Sequence, residues 1–238
     1  MFCAVAIIVI FCTRRDYGIY RAGLKSGKLT GRSLKEITFT SVPVSLQMGF
    51  ESGSFTAAAV MAGWLGALDL AAYQVTVILG TLGFCIYYSM GAATSIMVAN
   101  AAGVNDRKLM RRTAYAGYRI ILTLATISSL IFFFLARPIL TVFTSDPAVI
   151  ALSLTLIFPL ILYQLGDATQ ITFANALRGT SKVMPMMWIS LISYVVIGMP
   201  ATYILAFPCE MGLYGIILSF SVSLFIAGAL FLYFFQRA

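Results

Sequence analysis

Apolar positions along this chain fall into long blocks that are separated by short polar stretches. The blocks lie roughly at 38–63, 70–101, 113–136, 148–177, 183–207 and 213–235. Each reaches or exceeds about 20 residues, which is enough for an α-helix to cross about 30 Å of hydrocarbon. Runs of this length exclude the short strands of a membrane barrel. The pattern therefore predicts an all-α membrane protein with six transmembrane helices.

The N-terminal part of the chain has a different pattern. Residues 1–12 (MFCAVAIIVIFC) are apolar but too short to span a membrane, and they lack the basic start and small-residue cleavage site of a signal peptide. We interpret them as the end of a transmembrane helix whose beginning lies outside the sequence. Residues 13–36 are polar and basic, and residues 37–238 hold all six predicted spans.

Composition supports a membrane protein. Hydrophobic residues make up 61% of the chain and charged residues 10%, whereas soluble domains carry about 25% charged residues. The net charge of +8 is not accompanied by a basic segment interleaved with aromatics on a soluble module, so we expect no nucleic-acid partner. Membrane lipid is the expected surrounding.

The basic residues predict the orientation of the chain. Fourteen of the 16 Lys and Arg residues lie on one side of the predicted spans or in the 13–36 segment, and only Arg137 lies on the other side; Arg119 lies near the basic end of the third span. Cytoplasmic loops carry the excess of Lys and Arg. We therefore expect an integral protein of the plasma membrane, here a bacterial cytoplasmic membrane, with a cytoplasmic C-terminus.

The four cysteines and the absence of histidine bear on bound metals. No CxxC spacing occurs and the chain contains no histidine, so neither a zinc site nor a disulfide framework is predicted. No cofactor is expected.

Two acidic residues, Glu51 and Asp167, lie well inside apolar segments. Ionisable groups within a bilayer are costly and usually mark the path of an ion or a substrate. Gln47 lies one helical turn before Glu51, while Tyr163 precedes Asp167 by one turn and Gln170 follows it by three residues. These oxygen-bearing side chains suit a proton or a Na⁺ ion, for which Glu51 and Asp167 would be the metal ligands. The alternative is that each acid is a neutral, hydrogen-bonded packing group.

The second predicted span carries Phe84, Tyr87 and Tyr88. Aromatic faces attract organic cations, which makes Tyr87 and Tyr88, together with Gln47 and Gln170, candidates for lining a substrate cavity. Packing within the protein, or contact with the membrane interface, is the alternative for the aromatic residues, and interhelical hydrogen bonding is the alternative for the glutamines.

An enzymatic alternative, an intramembrane aspartyl protease, also uses paired carboxylates. Such enzymes resemble a Tyr-Asp on one helix and a Gly-x-Gly-Asp on the next. Here Gln164 stands where the first glycine is required, and Glu51 is not preceded by tyrosine. Two catalytic aspartates must also lie close enough to share a proton. We therefore do not expect an enzyme.

Four segments together resemble the C-terminal lobe of the MATE (multidrug and toxic compound extrusion) family of antiporters. In chain order they are PVSLQMGFES, MAGWLGALDLAAYQV, GAATSIMVANAAGVND and DATQITFANALRGTSKVMPM. The resemblance implies a fold of two six-helix lobes around a cavity. It also implies exchange of Na⁺ or H⁺ for organic, often cationic and aromatic, compounds.

The resemblance assigns roles to individual residues. Glu51 matches the acid of the family's seventh helix, Asp167 the acid of the tenth, and Tyr163 its neighbour. In sodium-coupled members those positions contribute to the cation site. The resemblance thus implies a cation site at Glu51, Asp167 and Tyr163, with Na⁺ or H⁺ as the coupling ion.

The resemblance also divides the chain. It implies that residues 1–12 end the sixth helix, that residues 13–36 form the cytoplasmic linker between lobes and that residues 37–238 form the C-terminal lobe. Arg178–Gly179 match a Leu-Arg-Gly motif, which we interpret as a helix stop. Ser181–Lys182 stand where the family often has Gly-Asp.

The expected function is cation-coupled export of small organic compounds, with a missing N-terminal lobe or a partner lobe completing the transporter. One alternative is a lipid-linked oligosaccharide or polysaccharide flippase of the same superfamily, which usually has a more cationic cavity. The predicted membrane interior of this chain offers acids and almost no basic residue, which favours cationic cargo. Another alternative is an inactive half-transporter fragment.

Overall fold

The computed structural model describes residues 31–237, and these residues are helical throughout apart from short connections. The helices are α1 Gly31–Leu65, α2 Ala67–Gly103, α3 Arg107–Phe143, α4 Pro147–Thr155, α5 Ile157–Gly179, α6 Met184–Ala206 and α7 Gly212–Arg237. From Thr40 onward they form one compact unit. The predicted all-α class is confirmed. The predicted helix end at residues 1–12 and most of the predicted linker lie outside the described residues.

Five of the six predicted spans lie within a helix or within the pair α4–α5, and the predicted span 183–207 exceeds α6 by one residue at each end. Among residues 31–237, α2, α3, α6 and α7 are long and apolar enough to cross a membrane, and α4–α5 qualify as a fifth span if the bent pair is counted as one. The helix α1 is long enough, but with its Gln, Glu, Gly and Ser residues it is not among the helices that are apolar enough by composition. The predicted span that fails this test is therefore the one that carries Glu51.

The helix α1 begins at Gly31, earlier than the lobe boundary that was predicted at residue 37. Its first turns carry the exposed residues Arg32 and Lys35. An apolar pattern marks the part of a helix that suits lipid, whereas helical hydrogen bonding continues into water wherever the side chains are solvated. The pattern therefore underestimates the length of a membrane helix at its polar end.

The central helix of the unit is α5, which packs against α2, α3 and α7. Every residue from 170 to 177 is buried. Gly166 of α5 and Gly228 of α7 face the opposing helix, where an added Cβ would lie about 3.0 Å from Leu224 and Thr169 respectively. Small residues at such contacts let membrane helices approach closely. Because α5 is covered by three helices, its polar side chains face protein rather than lipid.

Prolines account for two bends. The axis turns by 52° between α4 and α5, where Pro159 lies in the first turn of α5. A proline ring collides with the carbonyl four residues earlier and removes one hydrogen bond. The helix α3 likewise has a non-helical residue at Leu135, three positions before Pro138.

The predicted helix stop at Arg178–Gly179 coincides with the end of α5 at Gly179. Gly179 does not adopt a left-handed conformation here, because the residue with positive φ is Ser181 (60°). An added Cβ on Gly179 would lie 2.5 Å from the carbonyl oxygen of Ser95 in α2. Glycine is required here because the end of α5 touches the backbone of α2.

Candidate functional site

A cavity of about 330 Å³ lies between α1, α2, α5 and α7. Glu51 of α1 and Asp167 of α5 both line it, although they are far apart in sequence. Tyr163, one turn before Asp167, lines the same cavity. The structure thus brings together the three residues for which the sequence predicts a cation site.

Asp167 is held by a tyrosine from a neighbouring helix. Its side chain is only 2% exposed, and the hydroxyl of Tyr87 in α2 donates a hydrogen bond of 2.5 Å to its Oδ2 atom. Tyr87 is itself fully buried and lies behind the carboxyl group rather than in the lining of the cavity. A hydrogen bond to an ionised carboxylate is about twice as strong as one between neutral groups. Tyr87 therefore orients Asp167 and favours its ionised form.

Two further hydroxyl-bearing residues, Tyr73 and Thr76, line the cavity. The Tyr73 hydroxyl donates to the backbone oxygen of Phe55 at 3.0 Å, and the Thr76 hydroxyl donates to the backbone oxygen of Ala72 at 2.8 Å. Because their hydrogens are engaged, each of these lining residues offers oxygen lone pairs as the remaining polar function. Oxygen lone pairs beside two carboxyl groups suit a hard cation.

Aromatic and aliphatic side chains form the other walls of the cavity. Phe55 stacks on Phe220 with ring centroids 4.6 Å apart and an interplanar angle of 13°, and it meets Tyr163 edge-on at 6.3 Å. Phe84 also lines the cavity, and no Lys or Arg is among the lining residues that the structure describes. Aromatic faces and carboxyl groups both attract organic cations. The cavity therefore suits positively charged, partly aromatic compounds.

A site for a transition metal would require a different set of ligands. Within the part of the chain that the structure describes, no three His, Cys, Asp or Glu side chains lie close enough to hold one ion. The candidate donors are two carboxyl groups and neutral hydroxyl oxygens. This set fits a proton or a monovalent cation such as Na⁺.

The remaining predicted residues lie outside the lining of this cavity. Gln47 is buried in α1, with its Oε1 atom 3.5 Å from Arg178 Nη2, and Gln170 is buried where α5 meets α7. Tyr88 is 39% exposed and rests against Phe84, with ring centroids 4.8 Å apart. Like Tyr87, these three residues flank the site rather than face its open space.

Sequence reasoning missed most of the residues that build the walls, among them Phe55, Tyr73, Thr76 and Phe220. Phe55 could have been identified from the sequence, because it follows Glu51 by one turn on the same helix face. Tyr73, Thr76 and Phe220 lie on helices without an intramembrane acid. Only the packing of those helices reveals their role.

Comparison with known proteins agrees with this architecture. The family model MatE matches residues 43–204 of the chain, which includes every residue that carries the site on α1, α2 and α5. The chain belongs to the MATE family.

Named relatives support the same assignment. The chain is 34% identical over 169 residues to the "Probable multidrug resistance protein NorM" of Xanthomonas campestris pv. campestris, covering 71% of this chain and 37% of the relative. It is 28% identical over 237 residues to the protein of the same name from Geobacillus kaustophilus, covering 100% of this chain and 52% of the relative. The chain thus spans about half the length, or less, of these curated relatives.

Solved structures share the fold. The crystal structure of the "eukaryotic MATE transporter AtDTX14" superposes with a TM-score of 0.86 at 20% identity, covering 98% of this chain and 53% of that chain. An "outward-facing conformation of a multidrug resistance MATE family transporter of the MOP superfamily" superposes with a TM-score of 0.82 at 14% identity, covering 90% and 48%. At these identities the likeness establishes the fold alone.

Proposed function

We propose that this chain forms one lobe of a cation-coupled antiporter that exports small organic compounds across the plasma membrane. Membership of the MATE family and the names of the relatives support transport of drugs. The observation that carries the proposal is the cavity itself, in which Glu51 and Asp167 lie among aromatic side chains, with no basic residue among residues 31–237 in its lining.

The proposed coupling follows from competition for negative charge. A proton or Na⁺ ion at Glu51 and Asp167 neutralises the carboxyl groups that would otherwise attract an organic cation. Two ligands that prefer different states of one site are coupled, and each weakens the binding of the other. In a transporter of two lobes that alternates access to a site near mid-membrane, this competition exchanges one cation for the other.

The proposed orientation places the C-terminus in the cytoplasm. Arg111, at the start of α3, donates from Nη2 to the backbone oxygen of Gln236 at 2.6 Å, so the start of α3 lies beside the end of α7. The basic residues Arg107, Lys108, Arg112 and Arg237 therefore lie at one end of the unit. Basic residues gather on the cytoplasmic side of membrane proteins.

The proposed partners are lipid and a second lobe. Large apolar side chains of α3 are exposed, including Ile127 at 50%, Phe133 at 61% and Phe134 at 73%. Exposed apolar side chains on a membrane helix suit contact with lipid tails. The second lobe would be the N-terminal half of a longer polypeptide or a separate chain.

The test replaces each acid in the full-length protein by its amide, Glu51→Gln or Asp167→Asn. Ethidium, an aromatic organic cation, serves as the probe, and its transport is followed by fluorescence in membrane vesicles energised by a Na⁺ or a proton gradient. Glu210→Gln and Asp106→Asn are matched controls, because both acids are exposed and lie at helix connections. Asparagine also replaces aspartate well at the N-cap that Asp106 occupies.

We expect gradient-driven ethidium transport to be lost in the two cavity variants and retained in the two controls. Retained transport in Asp167→Asn, with protein levels equal to wild type, would contradict the coupling role. The flippase alternative is not proposed, since the relatives named above are multidrug resistance proteins and the described part of the chain gives the cavity no basic lining of the kind that a pyrophosphate requires.

A further inference from the structure

The helix α6 changes its winding in the middle of the membrane span. Residues Leu191–Gly198 form a π-helix between two α-helical halves. Short π-helical segments inside α-helices occur frequently at functional sites. Ser193 and Tyr194 are buried within this segment, and Ser190 is buried directly before it.

Three hydroxyl groups in this part of α6 are buried without a hydrogen-bond partner among the described residues: Ser190 Oγ, Ser193 Oγ and Tyr194 Oη. Tyr194 is 1% exposed and both serines are fully buried. Serine hydroxyls in membrane helices commonly donate to their own backbone, but a tyrosine hydroxyl lies too far from its backbone to do so. A hydrogen-bond partner for the Tyr194 hydroxyl must therefore come from another element.

The position of Tyr194 points to that group. The Ser54 hydroxyl of α1 lies 3.4 Å from the backbone oxygen of Tyr194, so the two residues stand at the same level. The helices α1 and α6 run in the same direction, because each successive span reverses the chain. Side chains lean toward the N-terminus of their helix. The ring of Tyr194 thus extends from the level of Ser54 toward Glu51, which lies one turn earlier in α1.

One further observation agrees with this direction. Tyr194 also lines a small second cavity of about 10 Å³ together with Phe220, and Phe220 forms a wall of the main cavity as well. Phe220 therefore borders both the small cavity beside Tyr194 and the main cavity of the site.

We propose that the Tyr194 hydroxyl is a further oxygen ligand of the carboxyl site, contributed by the π-helical segment of α6. The inference rests on the proposed function and extends it, since the coupling cation would be held by groups from α1, α5 and α6. The phenolic oxygen offers lone pairs to a cation between Glu51 and Asp167, and its hydrogen can be donated to a carboxyl oxygen. Both uses give a partner to a hydroxyl that is otherwise buried without one.

The experiment measures occupancy of the carboxyl groups directly in the purified full-length protein. Infrared difference spectroscopy follows the carboxylic C=O stretch in two titrations, with Na⁺ at constant pH and with pH at constant Na⁺. Tyr194→Phe removes one oxygen and keeps the ring. Tyr203→Phe is the matched control, because Tyr203 lies on the same helix and is 50% exposed. Thermal unfolding of each variant separates loss of stability from loss of a ligand.

We expect Tyr194→Phe to shift the midpoint of at least one titration about tenfold or more, the size expected for a hydrogen bond to a charged group, while Tyr203→Phe matches wild type. Midpoints unchanged in Tyr194→Phe, with the signal abolished or altered in Asp167→Asn, would overturn this inference alone. A wild-type protein whose carboxyl signal responds to neither ion, or a signal unaffected by Asp167→Asn and Glu51→Gln, would overturn the proposed function and the inference with it.

Discussion

The hydrogen bond from Tyr87 to Asp167 allows a sharp test of how the candidate site works. Tyr87→Phe removes a single oxygen from a ring that is fully buried against Ile121, Ala125 and Ala168. The ring continues to fill its space, so no cavity of a size that destabilises the fold is created. The variant leaves the Asp167 Oδ2 atom without the donor that now lies 2.5 Å away.

The expected magnitude follows from the charge of the acceptor. Hydrogen bonds to charged groups contribute about 1.5–3 kcal/mol, and about 1.4 kcal/mol corresponds to a factor of ten. Loss of the Tyr87 hydroxyl should therefore destabilise the ionised form of Asp167. The equilibrium between ionised and protonated Asp167 should shift toward the protonated form by about tenfold to one-hundredfold. Binding of Na⁺ requires the ionised form and should weaken by a similar factor. In a proton-coupled protein the same substitution should strengthen proton binding, because the protonated form of Asp167 is then the occupied form.

The assay is ethidium transport in vesicles that carry the full-length protein, measured over a range of Na⁺ concentrations and, separately, of proton gradients. The coupling-ion concentration that gives half-maximal transport is the quantity compared. Tyr88→Phe is the control, because the neighbouring tyrosine is 39% exposed and rests on Phe84. Half-maximal concentrations that agree within twofold for Tyr87→Phe, Tyr88→Phe and wild type would refute the role assigned to this hydrogen bond.

Two further predictions concern the packing and the caps of the lobe. Gly179→Ala should lower the melting temperature of the purified protein, since its Cβ would lie 2.5 Å from the backbone oxygen of Ser95, whereas Gly103→Ala, with open space around it, should not. Overpacking of this kind costs about 1–3 kcal/mol, and equal melting temperatures for the two variants would contradict the close contact. Asp106→Ala should destabilise α3 by about 1 kcal/mol, because the carboxylate accepts from the backbone N–H of Leu109 at 2.9 Å. Asp106→Asn should restore most of that stability, and an asparagine variant as unstable as the alanine variant would argue against capping.

Prediction from the sequence was most successful for features that depend on a single segment of the chain. Hydropathy and segment length placed the membrane helices, because a bilayer requires about 20 apolar residues per span. They did not separate α4 from α5, since Leu156 is as apolar as its neighbours and the bend depends on Pro159. They also shortened α1, whose first turns are polar.

The candidate site was predicted in part. Glu51 and Asp167 were identified because a carboxyl group in an apolar segment is costly, and a cost of that kind is visible in the sequence alone. Tyr87 was identified as a cavity residue for its aromatic ring, whereas the structure places it behind Asp167 as a hydrogen-bond donor. Tyr194 carried no signal, because a tyrosine in an apolar helix is ordinary until its neighbours are known.

The sequence by itself determined that this chain is a helical membrane protein with two acids inside the bilayer. Both conclusions depend on residue type and on spacing along one helix, which are properties of the chain before it folds. The tertiary structure decided which hydroxyl meets which carboxyl group and that the two acids share one cavity. Those contacts depend on how far each helix rotates and tilts about its axis, and close packing at positions such as Gly166 and Gly179, together with bends at prolines, sets the rotation and the tilt.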